Sequence, residues 1–351
     1  LVERSPRKDS AMTTPTPAPP PEAMLIQMVF GKAITQALSV IARFKIADHL
    51  ATGPKTATEL AAVTSLHAGH LYRVMRALAG LGVLTGDEAG RFALTPMGDM
   101  LRSDVPGSVR AIATYVCDPW SWKPWGDLAG AVKSGQPVFD RMFGEGAFDY
   151  LGKHPDEAAT FNEGMTGFSQ QSSAAVLKVY DFSKFGTIVD VGGGHGALMT
   201  AILKANPGVK GIIFDAASVA SGASEAIRAA GLTDRCRTEG GDFFKAVPAG
   251  GDLYMLKHII HDWNDVKATT ILKACRAAIP ATGKLLLVEL VVPTGFAPHM
   301  SHILDLEMMV LCDGKERTEA EYRELLAGAG FRMTRAIPTG GPHGLVEAIP
   351  V

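Results

Sequence analysis

The sequence has few cysteines and no net charge to speak of. Its four cysteines, Cys117, Cys236, Cys275 and Cys312, lie far apart, with neither zinc-site nor disulfide spacing, the pattern of reduced thiols in a cytoplasmic protein. Lysine and arginine total 34 against 36 aspartates and glutamates. A nucleic acid or an anionic membrane surface usually demands a basic excess, so neither is expected as a partner. No apolar run is long enough to span a bilayer, and no signal-peptide pattern is present. What is abundant is apolar content, 47% of a 351-residue chain whose length exceeds one usual core. Two domains are therefore expected.

Residues 1–23 mix charges, threonines and a proline run, cannot bury a face, and are expected to form a disordered leader. Residues 24–107 form the first folded unit. From Met24 to Leu50 apolar residues recur at helical spacing and predict one helix, but on more than one face. A lone surface helix shows a single stripe, so the surplus predicts a second buried contact and hence a homodimer. Thr56-Ala-Thr-Glu59 is capping-box-like, a short helix follows at 60–63, and a longer one runs from His67 to Leu81, closed by Gly82. Two short strands, 83–85 and 91–95, then make a hairpin. Helix, turn, helix and wing is an arrangement that ordinarily reads DNA. The second helix offers only His67, His70, Arg73 and Arg76, without the dense basic face that phosphates require, so packing or dimerisation is the expected role.

Residues 108–182 are predicted mainly helical and hold an aromatic and methionine cluster that includes Trp120, Trp125, Phe139, Phe148, Phe161 and Met165. Such side chains form core and can also wall a flat apolar ligand. From 183 to 351 strands alternate with helices, at 187–191, 210–215, about 235–239, 252–257, 284–290, 331–337 and 344–350. The fold class is α/β, a Rossmann-like parallel sheet with ligands at the carboxyl ends of its strands. The last two strands are joined by a connection too short for a crossover helix, so the final strand should run antiparallel.

The most informative segment is Thr187-Ile-Val-Asp-Val-Gly-Gly-Gly-His-Gly196, an apolar strand that enters a glycine turn before a helix. Gly192, Gly194 and Gly196 can adopt backbone angles closed to other residues and let a ligand lie against the main chain. The loop also satisfies a dinucleotide fingerprint. Asp190 separates the two cofactors, because a carboxylate before the turn repels a pyrophosphate and attracts the sulfonium and ammonium of S-adenosylmethionine. Asp215, about twenty residues on, suits a ribose diol, and Asp242 with Phe243 at a third strand end suits adenine. No metal is expected; the spacing of His258 and His261 lacks further ligands nearby in the sequence.

Together with Leu256-Lys-His-Ile-Ile-His-Asp-Trp263 and Gly314-Lys-Glu-Arg-Thr318, these features resemble the S-adenosylmethionine-dependent O-methyltransferases of natural-product pathways, from about Met24 to the end. The resemblance implies a winged-helix module that forms an intertwined dimer. It implies that His261 is the general base, that Glu289 orients its ring, and that Glu316 is the second carboxylate beside it. Gly192, Asp215, Asp242, Phe243 and Lys257 fall on cofactor-contacting positions, and Met165, Phe168, Met308 and Met309 on positions that hold a small hydroxylated acceptor. His258 departs from the pattern, since many plant members carry an aromatic residue there. S-adenosylhomocysteine would be the second product. Two other classes stay open: a methyltransferase-like protein running hydroxylation, decarboxylation or pericyclic chemistry, and a winged-helix regulator binding DNA.

Overall fold

The computed structural model describes residues 19–351. The expected leader lies outside the described residues as far as residue 18, and Pro21–Val29 is already helical. The single helix expected from Met24 to Leu50 is three helices, Pro21–Val29, Gly31–Arg43 and Ile46–Leu50. The chain bends by 47° between the first two, and Lys45 takes a left-handed φ of 52° before the third. Apolar residues continue across both breaks, so their spacing alone reads as one helix. The first piece buries none of its residues: Met24, Leu25, Ile26, Met28 and Val29 are all exposed, as is Phe30 at its end. Among the described residues no single helix is long and apolar enough to cross a membrane.

The expected capping box is formed, Thr56 and Glu59 each closing on the other's backbone N–H at the start of Ala57–Thr64. His67 caps Ala68–Gly80. The hairpin carries a strand that sequence patterning did not reveal: β1 (Lys55–Thr56) pairs antiparallel with β3 (Arg91–Leu94), which pairs with β2 (Leu84–Gly86). Two residues are too short for a strand period to register.

Helices fill 110–179, the longest being Pro155–Val179. It crosses Arg110–Tyr115 so closely that a Cβ on Gly164 would stand 3.0 Å from Tyr115 Cβ. The large sheet then assembles from β4 (Thr187–Val191), β5 (Lys210–Asp215), β6 (Cys236–Gly240), β7 (Leu253–Lys257), β8 (Lys284–Glu289), β9 (Phe331–Pro338) and β10 (Gly344–Pro350). Its order is β6-β5-β4-β7-β8-β10-β9, parallel except for β10, which runs antiparallel to both neighbours. Central strands buried on both faces read as continuous apolar runs, and Leu253–Leu256 are wholly inaccessible. One face packs Val189, Tyr254, Leu256 and Leu287 against Ile271, Leu272 and Leu325; the other packs Ile188, Met255 and Val288 against Leu198, Ile202 and Ile227. The order reverses at β4, which places the glycine turn at the switch point where such sheets take ligands.

Candidate active site

The turn after β4 depends on glycine geometry. Gly192 has a φ of 71°, and a Cβ there would meet Ile259 Cδ1 at 2.3 Å. Gly194 also has positive φ, yet a Cβ on it would meet nothing within 4 Å, so its backbone borders open space. Its N–H donates to Asp215 Oδ2 at 2.8 Å, while Asp215 Oδ1 accepts from Ala216 N–H at 2.7 Å. Each oxygen keeps a lone pair for a ligand. Burial raises the Asp215 carboxyl above its ordinary value, against those two backbone bonds.

Asp190 lies beneath the turn, 2% exposed, with Cγ 2.9 Å from where a Cβ on Gly193 would sit and Oδ1 without a hydrogen-bond partner. Burial lifts its pKa to about 7, with Asp215 adding to the rise and Lys257 opposing it. A carboxyl so raised is partly neutral near pH 7, so its repulsion of a pyrophosphate is weaker than a free aspartate's. Asp242 is exposed, accepts from Phe244 N–H at 2.9 Å and pairs with Lys245 at 3.2 Å. Phe243 is half-buried against Phe244 and Trp263.

Lys257 ends β7 between the two halves of the site. Burial lowers its pKa to about 8, while Glu289 and Asp190 pull it back up, and Nζ donates to Ser169 Oγ at 3.0 Å. Ser169 ties the strand end to the helix that carries Met165 and Phe168, both half-buried. His258 then turns the chain with a left-handed φ of 53°, a conformation disfavoured for a residue with a Cβ. Its Nε2 lies 2.7 Å from His343 Nε2; burial pushes both imidazoles well down, so the pair is neutral, one ring donating and the other accepting.

After this kink the N–H groups of Ile259 and Ile260 both donate to Glu289 Oε1, at 3.2 and 3.0 Å. His261 follows, 4% exposed, with Nδ1 2.8 Å from Glu316 Oε1 and 3.9 Å from Glu289 Oε2. The other ring nitrogen, Nε2, has Asp262 Oδ1 at 3.5 Å. Burial alone would lower the imidazole pKa; Glu316, Glu289 and Asp262 outweigh it and raise it to about 10. Glu289 is itself raised to about 7, chiefly by burial. His261, Glu289 and Glu316 offer donor atoms within 4.8 Å of one another, a metal-like convergence of residues distant in sequence. The short Nδ1 to Glu316 hydrogen bond favours a proton there, since a ring nitrogen so engaged has no lone pair free for a cation.

Two further residues build this loop, and the sequence reading quoted them only as parts of a motif. Arg317 is fully buried, donating to the carbonyls of Ile260 (2.9 Å) and Trp263 (2.8 Å) and pairing with Asp265. Gly314 passes so close that a Cβ would stand 1.9 Å from the His261 carbonyl oxygen. Met308 is buried and Met309 packs with Met165, Phe161 and Trp125 around Tyr115 and Trp120. Glu307, beside them on the helix Met300–Leu311, escaped the sequence reading because a single acid in a helix carries no pattern.

The model of the O-methyltransferase domain matches residues 125–332, and that of the O-methyltransferase dimerisation domain matches 26–104. The chain belongs to the O-methyltransferase family. It is similar to the phenazine O-methyltransferase PhzM of Lysobacter antibioticus, 44% identical over 95% of this chain and 98% of the relative. It is also similar to the O-demethylpuromycin-O-methyltransferase of Streptomyces alboniger (40%; 93% and 89%) and to the 8-amino-8-demethylriboflavin N,N-dimethyltransferase of Streptomyces davaonensis (33%; 95% and 98%). Among solved structures, LaPhzM superposes with a TM-score of 0.91, at 44% identity over 95% of this chain and all of that one. Human N-acetylserotonin methyltransferase, solved with S-adenosylmethionine, gives 0.88 at 26% identity over 97% and 99%. The protein is a methyltransferase with S-adenosylmethionine as its cofactor. The glycine turn fits that group: an open backbone at Gly194, lone pairs on Asp215 and a buried, partnerless Asp190 Oδ1 suit a ribose and a cationic amino acid.

Proposed function

We infer that this protein is an O-methyltransferase that methylates a hydroxyl on a small, planar aromatic acceptor, with His261 as general base. The observation that carries the reading is the orientation of one ring: Glu316 engages His261 Nδ1, which leaves Nε2 as the nitrogen able to accept a proton. Bound S-adenosylmethionine supplies a methyl group on a positively charged sulfur. Asp215, Asp242 and Phe243 would hold its nucleoside and Asp190 and Gly194 its amino-acid end. Met165, Phe168, Met308 and Met309 would wall the acceptor.

Methyl transfer would join the methyl carbon to the acceptor oxygen and break its bond to sulfur, with the electron pair of that bond left on sulfur. The hydroxyl proton passes to His261 Nε2. A phenol has a pKa of about 10, which the raised pKa of His261, also about 10, matches, so the proton moves with little energetic gap. Glu289, fixed by two backbone amides, stands beside the imidazolium that results, whose positive charge favours the carboxylate form. Because neutral His261 is the competent form, the rate on a weakly acidic phenol should climb with pH beyond the ordinary imidazole range.

The exposed apolar residues of Pro21–Val29 support a homodimer through this helix, in keeping with the matched dimerisation model. Light scattering at micromolar concentration should return twice the chain mass, and a monomer mass would remove that part. For the activity, hydroxylated and aminated aromatics are incubated with radiolabelled S-adenosylmethionine and the methyl is located in each product. Methyl on oxygen is expected. Transfer to nitrogen alone, as the riboflavin-type relative's name describes for that protein, would overturn the oxygen assignment.

A further inference from the structure

Glu307 stands in surroundings that do not suit a carboxylate. Its helix supplies Met309, Val310 and Leu311 to an apolar group that also contains Tyr115, Trp120, Phe161 and Met165. Trp125 Nε1 donates to Glu307 Oε2 at 2.8 Å, but Tyr115 OH reaches Oε1 only at 3.4 Å. One oxygen is well held and the other is nearly free. Burial raises the carboxyl to about 7 in spite of these two donors, the mark of a polar group short of partners. Anchoring Trp125 needs one neutral acceptor, which an amide or a carbonyl would provide more cheaply than an acid. Glu307 is carried on the helix of Met308 and Met309, and Tyr115, which reaches its Oε1, belongs to the same apolar group as Met165 and Met309.

We propose that Glu307 is a specificity-determining residue that accepts a hydrogen bond from a second donor on the acceptor, an N–H or O–H carried on the ring system away from the reacting hydroxyl. It rests on the inferred binding of an aromatic acceptor between Met165 and Met309. The same carboxylate disfavours acceptors that carry a negative charge at that place, because two anions in an apolar enclosure repel strongly. A charge-assisted hydrogen bond of this kind is worth about ten- to a hundredfold in affinity.

The test uses the full chain with S-adenosylhomocysteine bound and four probes of one ring-substitution pattern: a naphthol, an aminonaphthol, a dihydroxynaphthalene and a hydroxynaphthoate. Calorimetry gives their dissociation constants. The aminonaphthol and dihydroxynaphthalene should bind about ten- to a hundredfold more tightly than the naphthol, with the hydroxynaphthoate weakest. The two donor-bearing probes distinguish N–H from O–H. In Glu307→Leu that spread should collapse while naphthol affinity holds within about twofold, since the plain ring only packs. Glu307→Gln should keep the donor preference and lose the rejection of the carboxylate. Trp125→Phe, which removes the N–H and keeps a ring, should keep the donor preference. Equal affinities in the natural protein, no binding of any probe, or an equal loss for all four in Glu307→Leu would overturn the proposal, the last by showing that Glu307 only anchors Trp125. The expected order of binding without methyl transfer to oxygen would instead overturn the proposed reaction and leave the role of Glu307 standing.

Discussion

Glu289 and Glu347 are buried three residues apart in the β8–β10 register, and their surroundings treat them in opposite ways. Glu347 receives hydrogen bonds from Tyr180 OH (2.8 Å), Lys284 Nζ (3.0 Å), Thr334 Oγ1 (2.9 Å) and the Arg335 guanidinium (3.2 Å). Burial would raise its carboxyl, but these donors outweigh it and hold the pKa at about 2. Glu289 receives two backbone amides on one oxygen and nothing on the other, and Glu316 likewise leaves Oε2 without a partner. There burial prevails, and Glu289 rises to about 7. A carboxylate with every lone pair used holds strands together. One left short of partners is raised by burial, and the imidazole beside it is the charge that draws it back down.

Removing the ring should produce the largest effect. His261→Ala is expected to lower turnover on a weakly acidic phenol by about a hundred- to ten-thousandfold while S-adenosylmethionine affinity, read by calorimetry, stays nearly unchanged. Wild-type turnover in that variant would show that proximity alone drives transfer, and the contrast between the two carboxylate groups would lose its chemical meaning.

Moving the ring without removing it sharpens the comparison. Gly314→Ala puts a methyl group where the His261 carbonyl oxygen sits 1.9 Å away, so the loop must shift. A displacement of about 1 Å at such a site can cost about a hundredfold in turnover. Circular dichroism and thermal melting should show an intact fold, and unchanged turnover would mean that the loop tolerates displacement.

Asp215 is an intermediate case, with both oxygens partnered but lone pairs remaining. Asp215→Ala should weaken S-adenosylmethionine binding about ten- to a hundredfold, as loss of a charge-assisted hydrogen bond does. An unchanged dissociation constant would confine Asp215 to bracing the glycine turn.

The smallest effect belongs to Glu347. Its folded pKa, about 2, lies below the ordinary 4.5, so its contribution to stability is fully present above about pH 4.5 and lost as pH falls through 2. Glu347→Gln should leave turnover unchanged and cost about 1 to 2 kcal/mol at pH 7, a range that allows for solvent screening of half-exposed Lys284 and Arg335. The gap in urea midpoint between the two proteins should narrow on acidification below pH 4.5. A constant gap would mean that packing, not ionisation, carries the effect.

Much of this fold is local and therefore legible in the chain. The seven strands of the large sheet appear within a residue or so of their expected bounds, because doubly buried strands are continuous apolar runs between turn signals. The capping box, the glycine turn and the antiparallel last strand follow from spacing and connection length in the same way. The breaks at Phe30 and Lys45 did not register, since apolar residues run on across both of them. By itself the sequence determined which residues could do chemistry: a histidine, several acids and a glycine loop at strand ends. Only the tertiary structure decided how those groups differ. Whether a buried glutamate is braced by Lys284 and Arg335, or left half-partnered beside His261, depends on side chains brought together from remote parts of the chain, and burial magnifies that difference into opposite pKa shifts.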